Sequence, residues 1–504
     1  MTRPLAALVP NRLCAAVALA LPLAAAADTA ITVYSSAVPG AVDPRAFRGA
    51  ADAVAVPGYA FVREQRDFTL ARGRSQLRVT DVPALIDPTT LSFTSVTDPQ
   101  GTRVLAQSFE FDLTNPQKLL SRYLDREVTV EQPRGQGIET FGGTLLSAQQ
   151  GLTLRNADGS VRLVSHYSGV KLPTLPGGLI SKPTLVWDLE SAREGAQTAR
   201  FTYQTNGMTW WTDYNLTQSE GADGQCRLEV GAWVTLVNQS GASYRDARLK
   251  LVAGDVQRAQ PRVPQPAAPA MMRAQSRDAA EGFTEKAFFE YHLYTLGRPV
   301  NLPDNSTQQL ELFPRAPAVG CEKALVYAGQ AVPYYDHGSV LTDRAYGVQS
   351  NRKVDVHLRF RNTQANGLGV PLPAGRLRVA KMDPADRSLE FIGEDTIAHT
   401  PRDETVQVRL GSAFDVVGER KQVDFRLDTT AKWMEEDIEV RVRNRKAAET
   451  VAVLVKEHLY RWTQWSITKK SQEFSKQDSR TVHFPVKVAP GAEVVVRYTA
   501  RYTW

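Results

Sequence analysis

The sequence predicts a mainly β protein: multiple antiparallel β-sandwich domains with a small SH3-like β-barrel and few helices. The first observation is periodicity. Apolar and polar residues alternate at 77–80, 109–113, 128–130, 354–360 and 438–442, the signature of strands with one buried face. The second is punctuation, because Asp158-Gly159, Asp223-Gly224, Asn366-Gly367 and Pro490-Gly491 supply turns between such runs. The third is length. A chain of 504 residues exceeds what one hydrophobic core organises, so about two to four domains are expected.

Residues 1–27 read as a secretory signal peptide. Arg3 and Arg12 precede a short apolar run, and Ala24 to Ala27 lead into Asp28, the order of charged, apolar and small residues that export signals share. The run is short of the roughly 20 residues that cross a bilayer, so the anchoring-helix alternative fits less well. Cleavage is expected near Ala27, which places the mature chain in the periplasm or outside the cell. No second long apolar stretch follows, and no transmembrane helix is expected in the mature chain. Removing Arg3 and Arg12 leaves 58 basic against 54 acidic residues. Spread over this length, that balance argues for a solvated surface and against a nucleic-acid partner.

Residues 28–118 are expected to form an N-terminal β domain. The helical reading of 116–124, around Ser121, is about two turns. Residues 119–175 hold short bent strands at 127–130, 141–147, 152–156 and 161–164, the pattern of a small SH3-like barrel. A β-sandwich region is expected over 176–430, interrupted by a flexible loop at 257–282. That loop is rich in Pro, Ala and Gln and carries Arg258, Arg262, Arg273 and Arg277, a composition that does not build a core. The C-terminal sandwich part covers 431–504, with 433–437 read as a single helical turn. Three strands end in asparagine, at Asn238, Asn362 and Asn444, a residue whose amide bonds the turn that follows. After export only Cys226 and Cys321 remain. They are candidates for one disulfide, although their spacing alone does not bring them together.

Two sets of motifs carry a resemblance. The first is Phe201-Thr-Tyr-Gln-Thr-Asn-Gly-Met-Thr-Trp-Trp-Thr-Asp-Tyr214, with Trp233-Val-Thr-Leu-Val-Asn-Gln-Ser-Gly241 and Ala247-Arg-Leu-Lys-Leu-Val-Ala-Gly-Asp255. The second is Gly367-Leu-Gly-Val-Pro-Leu-Pro-Ala-Gly375, with Ile392-Gly-Glu-Asp395, His399-Thr-Pro401 and Leu410-Gly-Ser-Ala-Phe-Asp415. Over 183–504 the chain resembles the bacterial exported family called domain of unknown function 4139, with a weaker echo over 58–126. The resemblance implies an exported, β-sandwich-rich protein and no particular activity.

The search for chemistry finds little. No Gly-x-Ser-x-Gly elbow is present. Ser466-Ile-Thr-Lys469 matches a Ser-x-x-Lys pair but sits in an apparent strand, where the two side chains do not share a helical face. The seven histidines are scattered without a His-x-x-x-His pair, so no metal is expected. His292 beside Tyr291 and Tyr294, and His337 beside Tyr335 and Asp336, are the densest polar groups. Neither the Walker pattern nor Gly-x-Gly-x-x-Gly occurs, and no cofactor is expected. Glu394, Asp395 and His399 are the candidates for acid–base work, set against a simpler role in capping turns. Trp210, Trp211 and Tyr214 are the aromatic binding candidates. Adjacent residues on a strand face opposite ways, so one tryptophan is expected outward, available to a glycan or protein. The C-terminal alternation from Val494 to Trp504 resembles the end of an outer-membrane barrel, though an ordinary last sandwich strand explains it. The reading is an exported binding or structural module that contacts an envelope protein or glycan. The alternatives are an envelope hydrolase with a site assembled from distant residues, and an outer-membrane-associated β protein.

Overall fold

The structure is a computed structural model that describes residues 28–34 and 56–504, apart from 112–115, 136, 150, 175–179, 181, 222, 255, 257–282, 331–337, 349 and 384. The expected leader at 1–27, the loop at 257–282 and the His337 group lie outside the described residues.

Strands dominate. In chain order they are β1 (Asp28–Tyr34), β2 (Tyr59–Leu70), β3 (Gly73–Val79), β4 (Ile86–Ser95) and β5 (Thr102–Glu110), followed by helix α1 (Pro116–Arg122). Next come β6 (Glu127–Arg134), β7 (Gly137–Ser147), β8 (Leu152–Arg155), β9 (Val161–Val164) and β10 (Gly169–Lys171). The central strands are β11 (Thr184–Ser191), β12 (Gly195–Asn206), β13 (Met208–Glu220), β14 (Cys226–Asn238), β15 (Tyr244–Ala253), β16 (Phe283–Phe288), β17 (Tyr291–Leu296) and β18 (Val300–Leu302). They lead into β19 (Ser306–Ala328), β20 (Lys353–Arg361), β21 (Gly375–Met382), β22 (Leu389–Ile397) and β23 (Thr405–Asp428). The chain closes with β24 (Trp433–Asn444), β25 (Val451–His458), β26 (Trp465–Lys470), β27 (Ser475–Lys476), β28 (Thr481–Val488) and β29 (Glu493–Thr503).

The alternation read from the sequence sets the inward faces. In β12, Ala199, Phe201 and Tyr203 are buried while Arg200 is exposed. Phe201 joins Trp187 and Phe93 in a run of rings with centroids 5.6 and 5.2 Å apart, the tilted geometry that aromatic pairs prefer. One core extends from Ile31 to Val408 and takes side chains from an eight-stranded sheet, a three-stranded sheet and the first half of a thirteen-stranded sheet. The N-terminal strands are therefore not a separate domain. β1 pairs in parallel with β15, and β2 pairs with β12 across more than a hundred residues of chain. Parallel ladders also join β13 to β21 and β19 to β25, so the sheets are mixed, not purely antiparallel. The five strands β10-β6-β7-β8-β9 form their own sheet with their own small core, inserted between β5 and β11, which pair directly. Among the described residues this sheet runs from β10 to β9, with no pairing that closes the two into the expected barrel.

A second core runs from Leu325 to Tyr502. Two long strands connect it to the first. β19 pairs with β14 up to Gly320 and with β20 from Cys321; β23 pairs with β20 at its start and with β24 over its second half. The boundary expected at 430–431 therefore falls inside the β23–β24 hairpin. Residues 433–437, expected as a helical turn, begin strand β24. Val496, Tyr498, Ala500 and Tyr502 on β29 face this second core, so the C-terminal alternation belongs to an internal sandwich strand. Ion pairs are buried beside it: Arg420 Nε lies 2.8 Å from Glu457 Oε2, and Arg461 Nε lies 2.7 Å from Glu436 Oε1. Arg461 also donates to the carbonyls of Leu341, Asp343 and Tyr346, tying residues 341–346 to the sandwich.

The three strand-end asparagines share one role. Each is buried, and each Nδ2 donates to two or three backbone carbonyls of loops and strand ends: Asn238 to Ala242, Leu302 and Pro303, Asn362 to Val370 and Pro401, Asn444 to Glu449 and Val488. The amide satisfies backbone groups that would otherwise be buried unpaired where a strand leaves its sheet.

Candidate binding cleft

The thirteen-stranded sheet curls on itself along β22-β21-β13-β14-β19-β20-β23 until β22 lies against β23. Contact there is made by side chain and close packing: the Arg409 amide donates to Asp395 Oδ2 at 2.8 Å, and Gly393 packs against the backbone of Leu410. Gly393 has φ +155° and no room for a Cβ, so a side chain at this position would push the two strands apart.

A cleft of about 400 Å³ opens at one end of this curl, where β19 and β23 leave the first core for the second. Its volume is in the range of small-molecule sites. Val356, Leu358, Ile392 and Leu410 supply apolar wall, and Gln218, Ser412, Lys381, Lys323 and Glu220 supply polar groups. Both lysines have carboxylate neighbours. Lys381 Nζ is 3.6 Å from Glu220, and Lys323 Nζ is 2.8 Å from Glu449. Hydrogen bonds from Lys323 and Lys446 hold the Glu449 carboxyl down to about 2. Cys226 lines the cleft and is disulfide-bonded to Cys321. The bridge joins neighbouring strands at the point where β19 exchanges β14 for β20.

The lip carries an unusual bulge. Between Lys353 and Asp355, β20 advances two residues while its partner β23 advances five, from Ser412 to Val417. Bulges re-aim side chains and concentrate near functional sites. Phe414, on this bulge and two residues beyond the cleft-lining Ser412, is 94% exposed.

The sequence-predicted residues are only partly brought together. Trp210 faces the main core beside Tyr294, with ring centroids 6.3 Å apart. Tyr214 is buried, and its hydroxyl donates to the Pro373 carbonyl. Trp211 does face the other way, yet it is not a surface residue: Val56 and Val237 cover it, and only 7% of it is exposed. Its Nε1 donates to buried Asp213, which also accepts from Thr235 and Arg376. Arg378 reaches both Asp213, at 3.5 Å, and Glu394, at 3.6 Å, so Trp211 and Glu394 are linked through one polar chain. Asp395 accepts from the amides of Thr396 and Arg409, and His399 Nδ1 accepts from the Ala374 amide. Glu394, Asp395 and His399 thus serve separate local contacts. His292 pairs with Glu285 at 2.7 Å, and Arg402 lies on the other oxygen of Glu285. Ser466 and Lys469 lie on strand β26. His357, between two cleft-lining residues, contacts Gln407 instead. Burial holds its imidazole below the usual range, against the pull of Asp355, with Arg359 and Arg409 reinforcing the shift.

Among the described residues no cluster of three or more His, Cys, Asp or Glu side chains is placed to hold a metal ion, and no helix is long and apolar enough to cross a membrane. No protein-family model matches the chain, and no curated protein matches it.

Proposed function

We propose that this is an exported cell-envelope binding module, a member of the family called domain of unknown function 4139, and that its recognition site is the cleft between the two cores. The observation that carries this reading is the cleft itself: apolar walls, a few polar groups and a disulfide-stapled side, the composition expected of a binding site. Two of the motifs behind the family resemblance, 392–395 and 410–415, contribute Ile392, Leu410, Gly411 and Ser412 to its lining. The occupant in this reading is an apolar group presented by an envelope protein or glycan.

The test compares the mature chain with Ser412→Trp, which fills the cleft from an exposed position without entering either core. Both are crosslinked mildly in envelope extract and the retained species identified by mass spectrometry. A species held by the parent chain and lost with Ser412→Trp is the expected result. Identical retention by both forms, or none above a scrambled-bait control, rejects the cleft as the site.

A further inference from the structure

The β16–β17 hairpin ends in a two-residue turn, Phe289-Glu290, closed by the pair Phe288 and Tyr291. Phe289 has φ +58°. Two-residue hairpin turns place glycine, asparagine or aspartate at such positions, because a Cβ is disfavoured there. A bulky ring is the opposite choice, and folding gains little from it: Phe289 is 72% exposed and its neighbour Phe288 is 55% exposed. A disfavoured conformation kept for a side chain that buries almost nothing points to a role outside the fold.

The tip is an organised aromatic group. The Phe289 ring lies 6.1 Å from that of Tyr291. Tyr291 rests in turn on Gly254, where a Cβ would stand 2.6 Å from the ring. Lys286 is exposed on the same face of β16 as Phe288, one step back from the turn. Glu285, on the opposite face, is engaged by His292 and Arg402.

We propose that this hairpin tip is a membrane-contact element that places Phe288 and Phe289 in the interfacial layer of a lipid bilayer. The geometry favours lipid over a protein partner. A specific protein interface needs on the order of 1,200 Å² or more of buried surface, and a two-residue convex tip supplies little of that. A lipid interface accepts aromatic rings one at a time. Lys286 stands where its stem lies along the apolar region and its ammonium meets a lipid phosphate. Glu290 is exposed at the same turn and offsets the charge of Lys286, so the attraction rests on the rings and depends only slightly on anionic lipid. The element is independent of the cleft.

The experiment is vesicle flotation of the mature chain from Asp28, with vesicles of phosphatidylcholine alone and of phosphatidylcholine with phosphatidylglycerol. The parent chain floats with both. Phe289→Gly lowers the bound fraction about tenfold, the loss expected when one buried aromatic side chain is removed. The same variant keeps or raises the melting temperature, since glycine suits φ +58°. That pairing separates lost contact from lost folding. A parent chain that stays at the bottom of the gradient overturns the proposal, as does flotation of Phe289→Gly equal to that of the parent. Capture of an envelope protein that needs Phe289, without flotation, would make the tip a protein plug and also overturn it.

Discussion

Glu457 shows how much a single side chain in this protein depends on its partners. It is fully buried; Oε2 takes Arg420 Nε at 2.8 Å and the Tyr498 hydroxyl at 2.5 Å, while Oε1 has no hydrogen-bond partner among the described residues. Arg420 in turn donates to the Gly347 carbonyl. Removing one member of such a pair strands the other charge in an apolar interior. Arg420→Met is therefore expected to cost about 3–5 kcal/mol, and Arg420→Met with Glu457→Leu to recover much of that loss. Denaturant midpoints of the single and double variants check this; equal destabilisation in both would show that the pair is not the cause. The same residues explain what sequence reading misses. At the start of β24 the inward positions are Met434, Glu436 and Ile438. A glutamate in the middle breaks the apolar alternation and makes the segment resemble a turn. Arg461, brought from another part of the chain to 2.7 Å, and the hydroxyls of Tyr460 and Tyr502 make an inward carboxylate tolerable, and no local pattern announces those partners. Trp211 fails for a related reason. Alternation correctly separates it from Trp210, but Val56 covers the face that alternation left open.

Strands and their staples were more legible. Helix α1 lies where the periodicity placed it, and the alternating runs at 354–360 and 438–442 fall in β20 and β24. The asparagines were visible as strand ends, and their side chains do bond the loops that follow. The cleft was not visible, because its lining comes from seven strands spread from Gln218 to Ser412. The two cysteines marked its side without showing that they meet. The Cys226–Cys321 bridge closes a separation of 95 residues, and such a crosslink restricts the unfolded chain. Replacing both cysteines with serine should lower stability by about 2–4 kcal/mol. Reductant should shift the parent's denaturation curve towards that of the variant and leave the variant's own curve in place.

Titration acts on the two cores together. Burial holds His357, His458 and His483 below their usual range. Their unfolded forms therefore bind protons first as the pH falls, and stability declines below the ordinary histidine value of about 6.5. Glu449, held down to about 2 by Lys323 and Lys446, contributes stability that is present above the unfolded value of 4.5 and lost as the pH falls towards 2. Both effects have the same sign. The melting temperature should be level above neutrality, begin to fall below about pH 6.5 and fall again below about pH 4.5. Calorimetry across this range tests it, and a flat profile from neutrality to pH 5 would count against the buried histidines. β19 and β23, of 23 and 24 residues, run through both cores without a break. No junction between 306 and 428 leaves a complete sheet on either side. Gene fusion or domain shuffling at any of those positions would hand each daughter chain a row of unsatisfied strand edge, the template for aggregation. The C-terminal sandwich is thus not a transferable cassette, and the two halves of this chain are bound to be inherited as one.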